Sequence, residues 1–118
     1  MRVLVVDDEL KNAELTALAL RDAGHQAEFV NGGEAALARM AATPFDAVVT
    51  DFRMPRMDGL ELMRELRHRW PATTLVMMTA YGDLETGRRA IRDGAFAYVN
   101  KEGDFAGEIA AHLARAAR

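Results

Sequence analysis

The sequence predicts an α/β domain in which a five-stranded parallel sheet is covered on both faces by five helices. Three observations carry this. Short apolar runs alternate with amphipathic segments along all 118 residues, as strand–helix–strand units require. The runs are continuously apolar, as strands buried on both faces must be. They also end in residues that carry chemistry, at the sheet edge where open α/β folds place their ligands.

The first strand, Arg2–Val6, ends in Asp7-Asp8. A helix is expected over Leu10–Ala23, with Leu15, Leu18, Ala19 and Ala23 on one face and Gly24 at its C-terminal cap. Gln26–Val30 reads as the second strand and Gly33–Ala42 as the second helix. Ala47–Thr50 is the third strand, closed by Asp51 and the turn Phe52-Arg53-Met54-Pro55. The third helix, Gly59–Trp70, carries the stripe Leu60, Met63, Leu66 and Trp70. Thr74–Thr79 is the fourth strand and Leu84–Asp93 the fourth helix, with Asp83 placed to cap its start and Gly94 its end. The fifth strand, Ala97–Val99, leads to Lys101, and Asp104 should cap the last helix, Phe105–Ala116. Gly87 is unexpected inside a helix, where alanine is better by about 1 kcal/mol; low helix stability there would suit an element that moves.

Composition narrows the classes. The length fits one domain, residues 1–118, with a single core. A net charge of −3 gives no basic footprint, which argues against direct nucleic-acid binding. The absence of cysteine excludes a disulfide framework and thiolate metal sites. No apolar run is long enough to span a membrane, and the start enters a strand without a signal-peptide pattern. A cytoplasmic location is the expectation. The uncapped end Ala114-Arg115-Ala116-Ala117-Arg118 leads us to expect a longer regulator.

Four strands thus deliver three carboxylates, a hydroxyl and an ammonium to one edge. Asp51 is the candidate nucleophile, attacking phosphorus to form an acyl phosphate. A phosphoryl dianion approaches clustered carboxylates only against strong repulsion, which a hard divalent cation with oxygen ligands removes. Lys101 offers a point charge and Thr79 a hydroxyl donor for phosphoryl oxygens. Taken singly, each residue has a blander explanation. An aspartate after a strand is usually a turn or cap residue, Asp7-Asp8 could cap the first helix, and Tyr98 could be a packed aromatic. His25, His68 and His112 show no ligand spacing, the methionines look like core filler, and Arg88, Arg89, Arg115 and Arg118 read as solvated charges.

Taken together, Asp7-Asp8, Asp51, Thr79, Tyr98 and Lys101 resemble the receiver domain of two-component response regulators, over essentially the whole chain. The stretches Asp51-Phe52-Arg53-Met54-Pro55-Arg56-Met57-Asp58-Gly59 and Thr79-Ala80-Tyr81-Gly82-Asp83 are most similar to receivers of transcriptional activators carrying a sigma-54-type AAA+ ATPase. The resemblance implies a flavodoxin-like, doubly wound sheet of order 2-1-3-4-5; a receiver is one of the standard examples of that order. It implies phosphorylation of Asp51 by a sensor histidine kinase, with the domain promoting its own phosphorylation and dephosphorylation rather than turning over a metabolite. It further implies Mg2+ (or Mn2+) bound by Asp8, Asp51 and the Arg53 backbone carbonyl, with Asp7 acting mainly through water. Thr79 and Tyr98 would form the switch. The fourth helix, fifth strand and fifth helix would form the surface for signalling and for a homodimer, with an output domain or downstream protein as recipient.

Rival classes fail on particular residues. A flavodoxin-like FMN binder needs a Gly/Ser/Thr-rich phosphate cradle after the first strand, where this chain has Asp7-Asp8-Glu9. A haloacid-dehalogenase-like phosphatase would carry its nucleophile after the first strand. A degenerate receiver, binding a partner constitutively without phosphorylation, is the remaining alternative. One departure from the family pattern concerns the residue after the lysine, usually proline and here Glu102. A non-proline cis bond costs about 2.5–4 kcal/mol, so a trans Lys101–Glu102 peptide is expected. Gly103 should absorb the altered path, Glu102 should face solvent, and Lys101 should still reach Asp51.

Overall fold

The structure, a computed structural model, describes residues 1–80 and 82–117; Tyr81 of the motif above and Arg118 lie outside the described residues. The elements run β1 (Arg2–Val6), α1 (Leu10–Asp22), β2 (Gln26–Val30), α2 (Gly33–Ala42), β3 (Ala47–Asp51), α3 (Gly59–Arg69), β4 (Thr74–Thr79), α4 (Leu84–Arg92), β5 (Ala97–Asn100) and α5 (Phe105–Ala116). All strand pairs are parallel, in the order β2-β1-β3-β4-β5. This is the order and element count the resemblance implied. β3 and β5 each run one residue beyond the expected end, to Asp51 and Asn100. α1, α3 and α4 each stop one residue short, a difference within the usual fraying of helix ends.

Alternation along the strands builds two cores. Leu4, Val6, Val48, Leu75 and Met77 pack under α2, α3 and α4 through Ala36, Met40, Leu60, Leu66 and Ala90. Val3, Val5, Val49, Val76 and Met78 pack under α1 and α5 through Ala13, Ala17, Leu20, Ile109 and Leu113. Asp83 and Asp104 cap α4 and α5, accepting from the Thr86 and Gly107 N–H groups. Asp7 and Asp8 do not cap α1: the cap position is Glu9, without a side-chain bond. No helix among the described residues is long and apolar enough to cross a membrane.

The apolar stripe read on α1 is not the face that the helix buries. Leu15 and Leu18 are 55% and 44% exposed, and Ala23 is exposed too. The buried residues are Ala13, Thr16, Ala17 and Leu20. Small side chains let this helix lie close on the sheet, so the larger leucines fall outside.

Candidate functional site

Because the strands are parallel and in register, their carboxyl ends come together. Val6 pairs with Thr50, which aligns Asp7 with Asp51 one residue on, and Asp51 pairs with Met78, just before Thr79. The carboxylates of Asp7, Asp8 and Asp51 each offer an oxygen within 4.8 Å of the others. Asp7 is fully buried. Its Oδ1 accepts the Glu9 N–H at 3.0 Å and its Oδ2 accepts from Lys101 Nζ at 2.7 Å. Asp8 is exposed. Asp51 accepts its neighbour Phe52's N–H at 3.0 Å, and its Oδ2 lies 3.5 Å from Lys101 Nζ. Asp8, Asp51, Arg53 and Lys101 line a cleft of about 440 Å3. A larger one, of about 670 Å3, lies at the other end of the sheet beside Phe45 and Trp70. Only the first adjoins an acidic cluster of metal-ligating geometry among the described residues.

The electrostatics follow from burial against neighbours. Asp51 is raised from 3.8 to about 6: burial disfavours its charge, Lys101 favours it, and Asp7 again opposes it. Burial also works against the Lys101 ammonium, but the hydrogen bond to Asp7 and the charges of Asp51 and Asp7 outweigh it. Its pKa stands above the ordinary lysine value. Lysine therefore stays charged between two acids, and neutralises only part of the cluster.

Thr79 and Tyr98 lie on the face of the sheet covered by α4. Met77 pairs with Tyr98 and Thr79 with Asn100, so these four side chains project to one side. Thr79 is fully buried, and its hydroxyl donates to Asn100 Oδ1 at 3.1 Å, with Val99 O at 3.4 Å. Asn100 was not singled out from the sequence; its place one residue before Lys101, level with Thr79, was the available signal. Gly87 also gains a reason beyond helix stability. A Cβ there would stand 2.5 Å from the Tyr98 ring, so the glycine makes the hollow in α4 that seats this aromatic.

The loop after β5 takes the expected path. No peptide bond among the described residues is cis, Gly103 has φ +58°, and Glu102 is exposed. The Glu102 N–H donates to Asn100 O at 2.7 Å and the Lys101 N–H to Thr79 O at 2.8 Å. A proline at position 102 could not make the first bond.

Residues 3–113 match the response regulator receiver domain. Regulatory protein AtoC of Escherichia coli K12 is 39% identical over 103 residues, covering 87% of this chain and 22% of that protein. The DNA-binding transcriptional regulator NtrC of Salmonella typhimurium is 36% identical over 102 residues, covering 86% of this chain and 22% of that protein. The chain thus spans about a fifth of the length of these two curated relatives. Among solved structures, the receiver domain of NtrX from Brucella abortus matches with TM-score 0.90 and 33% identity, over 97% of this chain and 96% of that one. Sheet order, acidic edge and sequence agree: the chain belongs to the response regulator receiver domain family.

Proposed function

We propose that the domain is a phosphorylation-controlled switch, accepting a phosphoryl group on Asp51 from the phosphohistidine of a sensor histidine kinase. The observation that carries this is the position of Asp51: a nearly buried carboxylate in an open cleft, with the Lys101 ammonium 3.5 Å away. An Asp51 carboxylate oxygen attacks phosphorus in line, the bond to the kinase's imidazole nitrogen breaks, and the imidazole leaves with its electron pair. Lys101 and Thr79 then bind the new phosphoryl oxygens. Three hard-oxygen acids within 4.8 Å of one another fit Mg2+, and Mn2+ suits the same donors. Asp8, Asp51 and the Arg53 carbonyl would hold the ion directly and Asp7 through water. When bound it supplies neutralisation between these acids and the phosphoryl dianion. Positioning and charge balance are the whole of the catalysis, as in other phosphoryl transfers, and the domain performs it on itself.

The phosphoryl group gives the Thr79 hydroxyl a new acceptor and draws it toward Asp51. Tyr98 moves into the space released, and the surface of α4, β5 and α5 changes for an output domain or downstream protein in the cytoplasm. Intact mass after acetyl phosphate and Mg2+ tests the acceptor. The parent should gain one phosphoryl group and Asp51→Asn none, while Asp8→Asn should need more Mg2+. Equal labelling of parent and Asp51→Asn would reject the assignment. An unlabelled parent would favour a constitutive interaction module.

The same surface supports a homodimer. Leu84, Ile91 and Phe96 are exposed there beside Arg88, Arg89 and Arg92. Glu108 on α5 offers opposite charge, and Asp104 does so only in part because it caps its own helix. Apolar residues ringed by complementary charge suit an isologous two-fold contact. Sedimentation with beryllofluoride and Mg2+ should show a larger dimer fraction than without. A strict monomer in both states would reject this.

A further inference from the structure

We propose that Asn100 is a positioning residue that latches Thr79 in the resting state and so sets how readily the domain switches. The proposal rests on Asp51 being the phosphoryl acceptor. A threonine hydroxyl carries a single proton to donate, and here it goes to Asn100 Oδ1 at 3.1 Å; the alternative acceptor, Val99 O, is farther at 3.4 Å. The hydroxyl cannot bond a phosphoryl oxygen on Asp51 until it leaves Asn100.

The latch is itself held. Asn100 ends β5 in register with Thr79. Lys101 N–H is bonded to Thr79 O at 2.8 Å, and Glu102 N–H to Asn100 O at 2.7 Å. Both bonds hold the peptide group that joins Asn100 to Lys101, one at its N–H and one at its carbonyl, and the second exists because residue 102 has an N–H to give. Tyr98 lies two residues back on the same face, seated in the hollow that Gly87 leaves. Asn100 therefore holds the hydroxyl on the α4 side, next to the aromatic that would follow it.

Losing the latch should favour the active arrangement by about one hydrogen bond. Beryllofluoride titrations in Mg2+, read from amide shifts of Leu84–Arg92, provide the measurement. Asn100→Val suits an edge strand and removes the acceptor; it should bind the mimic roughly fivefold more tightly, within the range of one net hydrogen bond. Asn100→Ala serves as the second variant, should valine disturb the fold. The decisive control is a double-mutant cycle. In a Thr79→Val background the Asn100 substitution should have no effect on affinity, since no hydroxyl remains to be held. Unchanged affinity in the single variants, or equal tightening with and without the Thr79 hydroxyl, would overturn the latch. If the parent accepts acetyl phosphate at Asp51, that failure belongs to the latch alone. If the parent takes no label, the acceptor assignment fails and the latch falls with it.

Discussion

Without divalent cations, Asp51→Asn should be more stable than the parent at pH 7 by about 1–3 kcal/mol, and the difference should vanish near pH 4. Asp51 sits at about 6 in the folded protein against 3.8 for the free side chain, with burial as the largest cause. A raised carboxyl pKa means that the folded state holds this proton more tightly than the unfolded chain. Stability from this group is then fully present below pH 3.8, is lost as pH rises through that value to about 6, and stays lost above. At 1.36 kcal/mol per pKa unit the ceiling is about 3 kcal/mol. Asparagine keeps the shape and has no charge to bury, while Lys101 keeps its 2.7 Å partner in Asp7. Denaturant unfolding in chelator at pH 4, 5.5 and 7 gives the difference directly. A gap that does not change with pH would show that Asp51 is not strained by its charge. Mg2+ should narrow the gap, because it stabilises only the protein that binds it.

That strain explains why Asp51, the proposed acceptor, is legible in sequence while parts of its support are not. Asp51 and Lys101 stand at the ends of apolar runs, where a charge has no packing reason to be, and Asp7-Asp8 repeats the pattern on the neighbouring strand. The strands themselves follow from continuous apolar runs that fit only a sheet covered on both faces. α1 was misread because helical periodicity weights large side chains, whereas a helix lying close on a sheet buries alanine and threonine. Asn100, and the packing reason for Gly87, are not legible in sequence for another reason. Each acts on a residue of another element, Thr79 and Tyr98, and the contact exists only once α4, β4 and β5 are assembled.

Gly59→Ala should destabilise the domain by about 2 kcal/mol and also reduce phosphorylation of Asp51, although Gly59 has no part in the chemistry. It is the first residue of α3, and its N–H donates to Phe52 O at 2.8 Å. A Cβ there would stand 2.4 Å from the Asp51 carbonyl oxygen, 3.0 Å from Phe52 Cα and 3.0 Å from Met77 Sδ. Two of those three atoms are backbone, so relief requires moving the end of β3 or the start of α3. The helix cannot yield freely. Asp58 Oδ1 accepts the Glu61 N–H at 2.9 Å while Glu61 Oε1 accepts the Asp58 N–H at 3.0 Å, a capping box that fixes the entry. Alanine's better helix propensity, about 1 kcal/mol, offsets only part of an overpacking cost of roughly 3 kcal/mol, the upper end of the usual range, since two of the three clashes are with backbone. Because the displaced atoms belong to Asp51 and Phe52, labelling by acetyl phosphate should slow even where the variant is folded. Gly32→Ala is the control, with extended backbone and no atom within 4 Å of its added carbon. It should stay within about 1 kcal/mol of the parent, the cost of a poorer helix cap. Equal stability and labelling of Gly59→Ala and the parent would show that β3 and α3 are not locked together at this point.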